Sequence, residues 1–155
     1  MNIRYLAICM ALYGTACLAA EPNKEALKAV NSMMNEAGAK TFISMIDDNV
    51  LRNGKPGKHK ERMAKELAGF PEGVSQILEL EEVRVIDFAK LNEAFKGLNQ
   101  ARLERVKKAL AGKYNSEDHY GIVVISKYRK AKPHKAVNAM IFRVTDWKII
   151  EMDDD

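Results

Sequence analysis

The chain has 155 residues, 25 Lys and Arg against 21 Asp and Glu, a formal charge of +4 and two cysteines. That length makes one ordinary domain with room for a core, and so mild a basic excess suits solubility and weak attraction to acidic surfaces, not nucleic-acid binding. Cys9 and Cys17 both fall in the opening stretch, so a chain that loses it has no thiol nucleophile, thiolate metal site or disulfide.

The opening "MNIRYLAICMALYGTACLAAEPNKEA" places Arg4 before an apolar run from Leu6 to Leu12, then the small residues Ala16 to Ala20. That is the plan of a secretory signal peptide over residues 1–20, with Leu18-Ala19-Ala20 as the cleavage site. A membrane anchor needs ~20 mainly apolar residues, and this run is shorter. Lipid attachment at Cys17 is the rival, but Gly14-Thr15-Ala16 lack the aliphatic residue of a lipobox. The expectation is a periplasmic or secreted protein comprising one α+β domain over 21–155, with no transmembrane span.

From Leu27 the apolar residues Val30, Met34, Ala37, Phe42, Met45, Ile46 and Val50 recur at helical spacing. They predict an amphipathic helix from about Asn23 to Leu51, bent or broken at Gly38. Arg52 to Lys58, rich in Gly, Pro and Asn, is a turn. A shorter helix spans about Lys60 to Ala68 and is stopped by Gly69 and Pro71. In "QILELEEVRVIDF" the alternation shifts phase, as a strand bulged at Glu81-Glu82 would; a helical reading through Ile77, Leu80, Val83 and Ile86 stays open. Asp87 caps the next helix, whose stripe is Phe88, Leu91, Phe95 and Leu98. Asn99 caps its continuation through Leu103, Val106 and Leu110, and Gly112 ends it.

From His119 the period is that of strands. "HYGIVVISKYR", "KAVNAMIFRV" and "WKIIEM" form an antiparallel meander, joined by the polar loop Lys130 to Lys135 and by a tight turn at Thr145-Asp146. Ile122 to Ile125 are apolar on both faces, so this strand is central and covered on both sides. Trp147 is placed at the start of the last strand, facing inward with Ile149. The expected fold is N-terminal helices packed on a C-terminal meander, in the order α-α-β-α-β-β-β. That order, with the terminal "DWKIIEM", resembles the ketosteroid-isomerase-like, nuclear-transport-factor-like α+β roll. Four candidate strands are fewer than a full roll uses. The resemblance implies a cone of sheet and long helix whose mouth holds a small molecule, a shell shared by many functions.

Candidate chemistry is sparse. Glu117, Asp118 and His119 in "YNSEDHYG" could ligate a metal, but Asn115, Ser116 and Asp118 favour a turn, and neighbours in a strand point to opposite faces. His59 and His134 sit in polar loops. An isomerase-type site would pair a buried carboxylate with a hydroxyl donor; Asp47 or Asp48 with Tyr120 or Tyr128 are the available residues. No phosphate loop, Gly-x-Ser-x-Gly elbow or His-Glu-x-x-His motif occurs, and no cofactor or metal is expected.

Basic residues are better organised. One group is Arg52, Lys55, Lys58, Lys60, Arg62 and Lys65; another, around the meander loop, is Lys127, Arg129, Lys130, Lys132 and Lys135. Opposing them are Glu79, Glu81, Glu82 and the tail Glu151, Asp153, Asp154 and Asp155. Charge runs are commonly solvated faces that add little stability. The functional reading is a non-catalytic binding module, such as an inhibitor, immunity or accessory factor, that meets an acidic protein or anionic envelope component through the meander-loop cations. The alternative is a small-molecule carrier or isomerase-like enzyme with an internal cavity.

Overall fold

The computed structural model describes residues 20–130 and 134–155. Both cysteines, Lys132 and the expected signal peptide short of Ala20 lie outside them. Among the described residues no helix is long and apolar enough to cross a membrane.

The expected first helix is three elements. Helix α1 (Lys24–Asn35) starts where the Asn23 side chain accepts the Glu25 amide, and it stops before Gly38 and Ala39, both left-handed at φ 61° and 49°. Helix α2 (Lys40–Met45) adds under two turns, and Ile46 to Arg52 is strand β1. The break is fixed by polar contacts: the Ser32 hydroxyl donates to the Glu36 carboxylate and accepts the Phe42 amide at 2.8 Å. Strand replaced helix beyond Met45 because Ile46 and Val50, both fully buried, are four apart, a spacing that fits a period of 3.6 and a period of 2 equally. Asp47, Asp48 and Asn49 are weak helix formers between them.

Helix α3 (His59–Leu67) and strand β2 (Leu78–Ile86) follow. In β2 Leu80 opposes Ser126 and Glu82 opposes Ile125, so Glu81 is the extra residue of the expected bulge. Asp87 caps as expected, accepting the Ala89 amide at 2.9 Å. The single helix expected after it is instead a tight turn over Phe88–Lys90 and a one-turn helix α4 (Leu91–Ala94), and Arg84 reaches back to the Ala94 and Lys96 carbonyls. Helix α5 (Gln100–Leu110) is capped by Asn99 and followed by Gly112 at φ 67°. Strands β3 (His119–Tyr128), β4 (Ala136–Arg143) and β5 (Lys148–Asp154) close the chain.

The fold is α+β, with a five-stranded sheet in the order β1-β5-β4-β3-β2. β1 runs parallel to β5 and every other pair is antiparallel. One face packs Ile122, Val124, Met140, Phe142 and Ile149 against α1, α2 and Met63 of α3. On the other face Val123, Ile125, Ala139 and Ile141 meet Phe95 and the Leu103, Val106, Leu110 stripe of α5. Eleven residues make a marginal helix in isolation, so α5 rests on that stripe, where each large aliphatic side chain buried is worth ~1.5–3 kcal/mol. Trp147 lies in the turn before β5, at φ 54°, with its ring half-buried 5.5 Å from Tyr120 and 6.0 Å from Phe142. It covers the edge of the first core face without belonging to the strand.

Gly73 (φ 81°, ψ 178°) holds the chain against the end of α1, where an added Cβ would lie 2.3 Å from the Met34 carbonyl oxygen. Gly73→Ala should therefore lower stability by ~3 kcal/mol or more, from a backbone region reserved to glycine plus a clash that backbone cannot yield to. Gly97→Ala (φ 78°, with nothing within 4 Å of the added carbon) should cost only ~1–2 kcal/mol. Urea midpoints of the two variants give the comparison, and equal losses would contradict the close approach.

Candidate functional site

Polar chemistry concentrates where β1 and β5 end together. Beyond β1 the chain reverses through Asn53 and Gly54, at φ 51° and 73°, with Arg52 and Lys55 exchanging backbone hydrogen bonds at 3.0 and 3.1 Å. An Asn-Gly pair with both residues left-handed is the natural two-residue reversal. It presents Asn53 to β5: the Asn53 side chain donates to the Asp154 carboxylate and accepts the Asp154 amide, each at 3.1 Å. Arg52 grips the same carboxylate with two nitrogens, at 3.3 and 3.0 Å, and Arg105 of α5 donates to the Asp154 carbonyl at 3.1 Å. Burial, the largest single influence, would raise the Asp154 pKa, but Arg52, Asn53 and Arg105 together outweigh it and hold the carboxylate below its usual range.

These contacts frame a cleft of about 480 Å³ lined by Arg52, Lys55, His59, Arg62, Arg105 and Asp154 among others. Its lining acid is Asp154, and Glu66 acts on Arg52 from outside the lining. Lys55 and Arg62 are exposed, and neither side chain has a partner among the described residues. His59 pairs through Nε2 with the Lys55 carbonyl at 3.0 Å, which sets that nitrogen as the donor, and its buried Nδ1 has no hydrogen-bond partner among the described residues. The arrangement attracts an anion: four cations converge on a concave surface that one aspartate only partly neutralises.

Behind the turn lie two acids with almost no exposure, Glu151 at 0% and Asp153 at 1%. They share the α5 side of β5, opposite Ile141 and Ala139 of β4. Lys113 reaches Glu151 Oε2 at 2.5 Å, and the Tyr114 hydroxyl donates to the same oxygen. Among the described residues Glu151 Oε1 and both Asp153 carboxyl oxygens lack a hydrogen-bond partner. Burial, then the adjacent Glu151 charge, pushes the Asp153 pKa up to about 7. Burial, then Glu151, also raises the Tyr114 hydroxyl above its ordinary value. The physical reason is that two carboxylates and a single ammonium leave one uncompensated charge in a dry site, and a proton on Asp153 removes it. That proton also gives the pair a carboxyl donor. Gly54 closes the site from outside, since a Cβ on it would sit 3.6 Å from Ala109 and 3.9 Å from Glu151 Oε1. This backbone cover keeps the pair from water, the condition that favours a proton on Asp153.

The meander-loop cations are placed differently. Lys127 lies opposite Glu79 in the sheet register, and Lys135 pairs with Glu81 at 2.6 Å. Arg129 donates to the Ser75 carbonyl at 2.5 Å, while Lys130 is exposed. The acids that oppose the loop in the sequence are therefore its neighbours on β2. Of the acid-hydroxyl candidates, Asp47 is bound by Arg143 at 2.9 Å and Asp48 by Lys60 at 2.7 Å. The Tyr120 hydroxyl accepts the Asn23 amide at 2.8 Å, and Tyr128 stacks edge-on near His134. These four do not meet at one site. Asn115 to Asp118 form the expected turn, with the Asn115 side chain accepting the Glu117 and Asp118 amides. Among the described residues no group of three or more His, Cys, Asp or Glu could hold a metal ion.

Arg105, Lys113 and Tyr114 were not singled out by sequence, and Glu151 and Asp153 read only as a solvated tail. Their signal is the alternation of burial along β5, in which Glu151 and Asp153 are buried as fully as Ile149, although the register shift after Ile149 turns the two acids to the opposite face. No protein-family model matches this chain, and no curated protein matches it.

Between pH 3.8 and about 7 the unfolded chain has released the Asp153 proton while the fold keeps it, so this group's contribution to stability falls as pH rises through that window and is flat above it. Asp153→Asn should remove that fall. Subtracting the variant's pH profile of urea-derived stability from the parent's isolates Asp153 from the paired carboxylates, which have the opposite sign. A flat difference would show that Asp153 is ionised throughout.

Proposed function

We propose that the protein is an exported, non-catalytic binding module that takes an acidic segment of a protein partner in the cationic cleft between the 52–55 turn, α3 and α5. The observation that carries this reading is the convergence of Arg52, Lys55, Arg62 and Arg105 on one concavity, with Lys55 and Arg62 uncommitted. The meander-loop cations Lys127 and Lys135 face acids of β2, so they add less to the outward field. The signal-like opening supports an extracytoplasmic location, and the ketosteroid-isomerase-like roll that the sequence resembles is a shell that serves binding as readily as catalysis.

A short labelled peptide of alternating Glu and Ser is a sufficient probe. Replacing Lys55 and Arg62 by Ser should slow its association by about tenfold at low salt, with the difference shrinking as ionic strength rises. Replacing Lys130 and Lys135 by Ser should change it little. Stopped-flow anisotropy reads both, and the reverse pattern would move the site to the meander loop.

A further inference from the structure

We infer that the partner segment runs on from the cleft into a second groove and is amphipathic, carrying large apolar residues among its acids; this rests on the reading of the cleft given above. A groove of about 980 Å³ lies between the 88–93 segment and the C-terminal half of α5. Phe88 and Leu91, both half-buried, form its apolar side, with the exposed Ala111 at the end of α5. Arg105 lines this groove and the cleft alike, so the two concavities adjoin at its side chain.

Charge selects the occupant. Lys107 is committed to Glu104 at 2.8 Å and to Gln100 at 3.0 Å. Lys90 and Lys108, both exposed groove-lining residues, have no partner among the described residues. A track of cations thus runs from Lys55 and Arg62 through Arg105 to Lys108 and Lys90, with an apolar strip beside its far half. Acidic side chains match the track, and leucine-sized ones match the strip formed by Phe88 and Leu91. A flat anionic bilayer meets the rim lysines but cannot reach an apolar floor set in a concave groove. The rim acids Glu93 and Glu104 also oppose a uniformly negative surface. A protein segment satisfies both halves at once.

The test compares two peptides of equal length and charge, one alternating Glu with Leu and one alternating Glu with Ser. Titrated by anisotropy at physiological salt, the Glu-Leu peptide should bind the parent about tenfold more tightly. Leu91→Ser should abolish that advantage. Ala111→Gln, a neutral side chain projected into the groove from an exposed position, should do the same without touching the core. Lys55→Ser with Arg62→Ser should weaken both peptides. Equal affinity of the parent for the two peptides overturns the groove and leaves the cleft standing, whereas failure of both to bind overturns the cleft and the groove with it. An advantage that survives in both groove variants, or tighter binding to phosphatidylglycerol vesicles than to the Glu-Leu peptide, also overturns the inference.

Discussion

The fold depends on the insertion of β5 between β1 and β4. β5 is parallel to the first strand on one side and antiparallel to its own hairpin partner on the other, so the last residues of the chain join the N-terminal third to the meander. Without that strand β1 would have no hydrogen-bonding neighbour in the sheet. Pairing elements about a hundred residues apart requires closing a long loop before any bond rewards it, and the partners must therefore be strongly specified. Ile149 specifies the register on one side: fully buried, it opposes Ile46 of β1 and Phe142 of β4.

The same insertion explains why polar chemistry gathers at one end of the sheet. The first part of β5 is apolar and central; its second part carries Glu151, Asp153 and Asp154 into a position flanked on both sides. Each acid meets a different solution. Glu151 takes Lys113 and Tyr114, Asp154 takes Arg52 and Asn53, and Asp153 has no cation of its own. Ionised, Asp153 would lack a counter-charge in a dry site, which costs far more than a protonated carboxyl. Its raised pKa follows from its place in the register, which buries it and sets it beside the Glu151 charge, while the Asn53 backbone and Lys113 oppose the shift without cancelling it.

Much of the fold was legible in the sequence because its punctuation is local. Asp87, Asn99 and Gly112 act through their own side chain or backbone freedom, and the Glu81 bulge shows as a phase slip within one strand. What was not legible depends on partners distant in sequence. Ile46 and Val50 fit helix and strand alike until β5 supplies hydrogen bonds; Phe88, Leu91 and Phe95 keep helical spacing across a tight turn and a single helical turn. The site was half legible. Arg52, Lys55 and Arg62 stood out as a basic run, but Arg105 is one of several charges on α5, and only the packing of that helix against β5 brings it to the cleft. Likewise Lys127 and Lys135 gave no sign that Glu79 and Glu81 would be laid beside them.

Asp154 is both a structural tie and the cleft's resident anion. Its carboxylate joins the turn after β1 to the end of β5 through Arg52 and Asn53, while its backbone carbonyl takes Arg105. An incoming acid that had to displace it would break that tie and lose much of what it gained. Lys55 and Arg62 remove the conflict, because they line the same cleft without taking part in the tie. The aspartate therefore fixes the guanidiniums of Arg52 and Arg105 in place, and the two uncommitted cations supply the attraction. Arg52 and Arg105 are thereby held in place without a ligand, which lowers the conformational cost that the proposed binding of an acid in this cleft would carry.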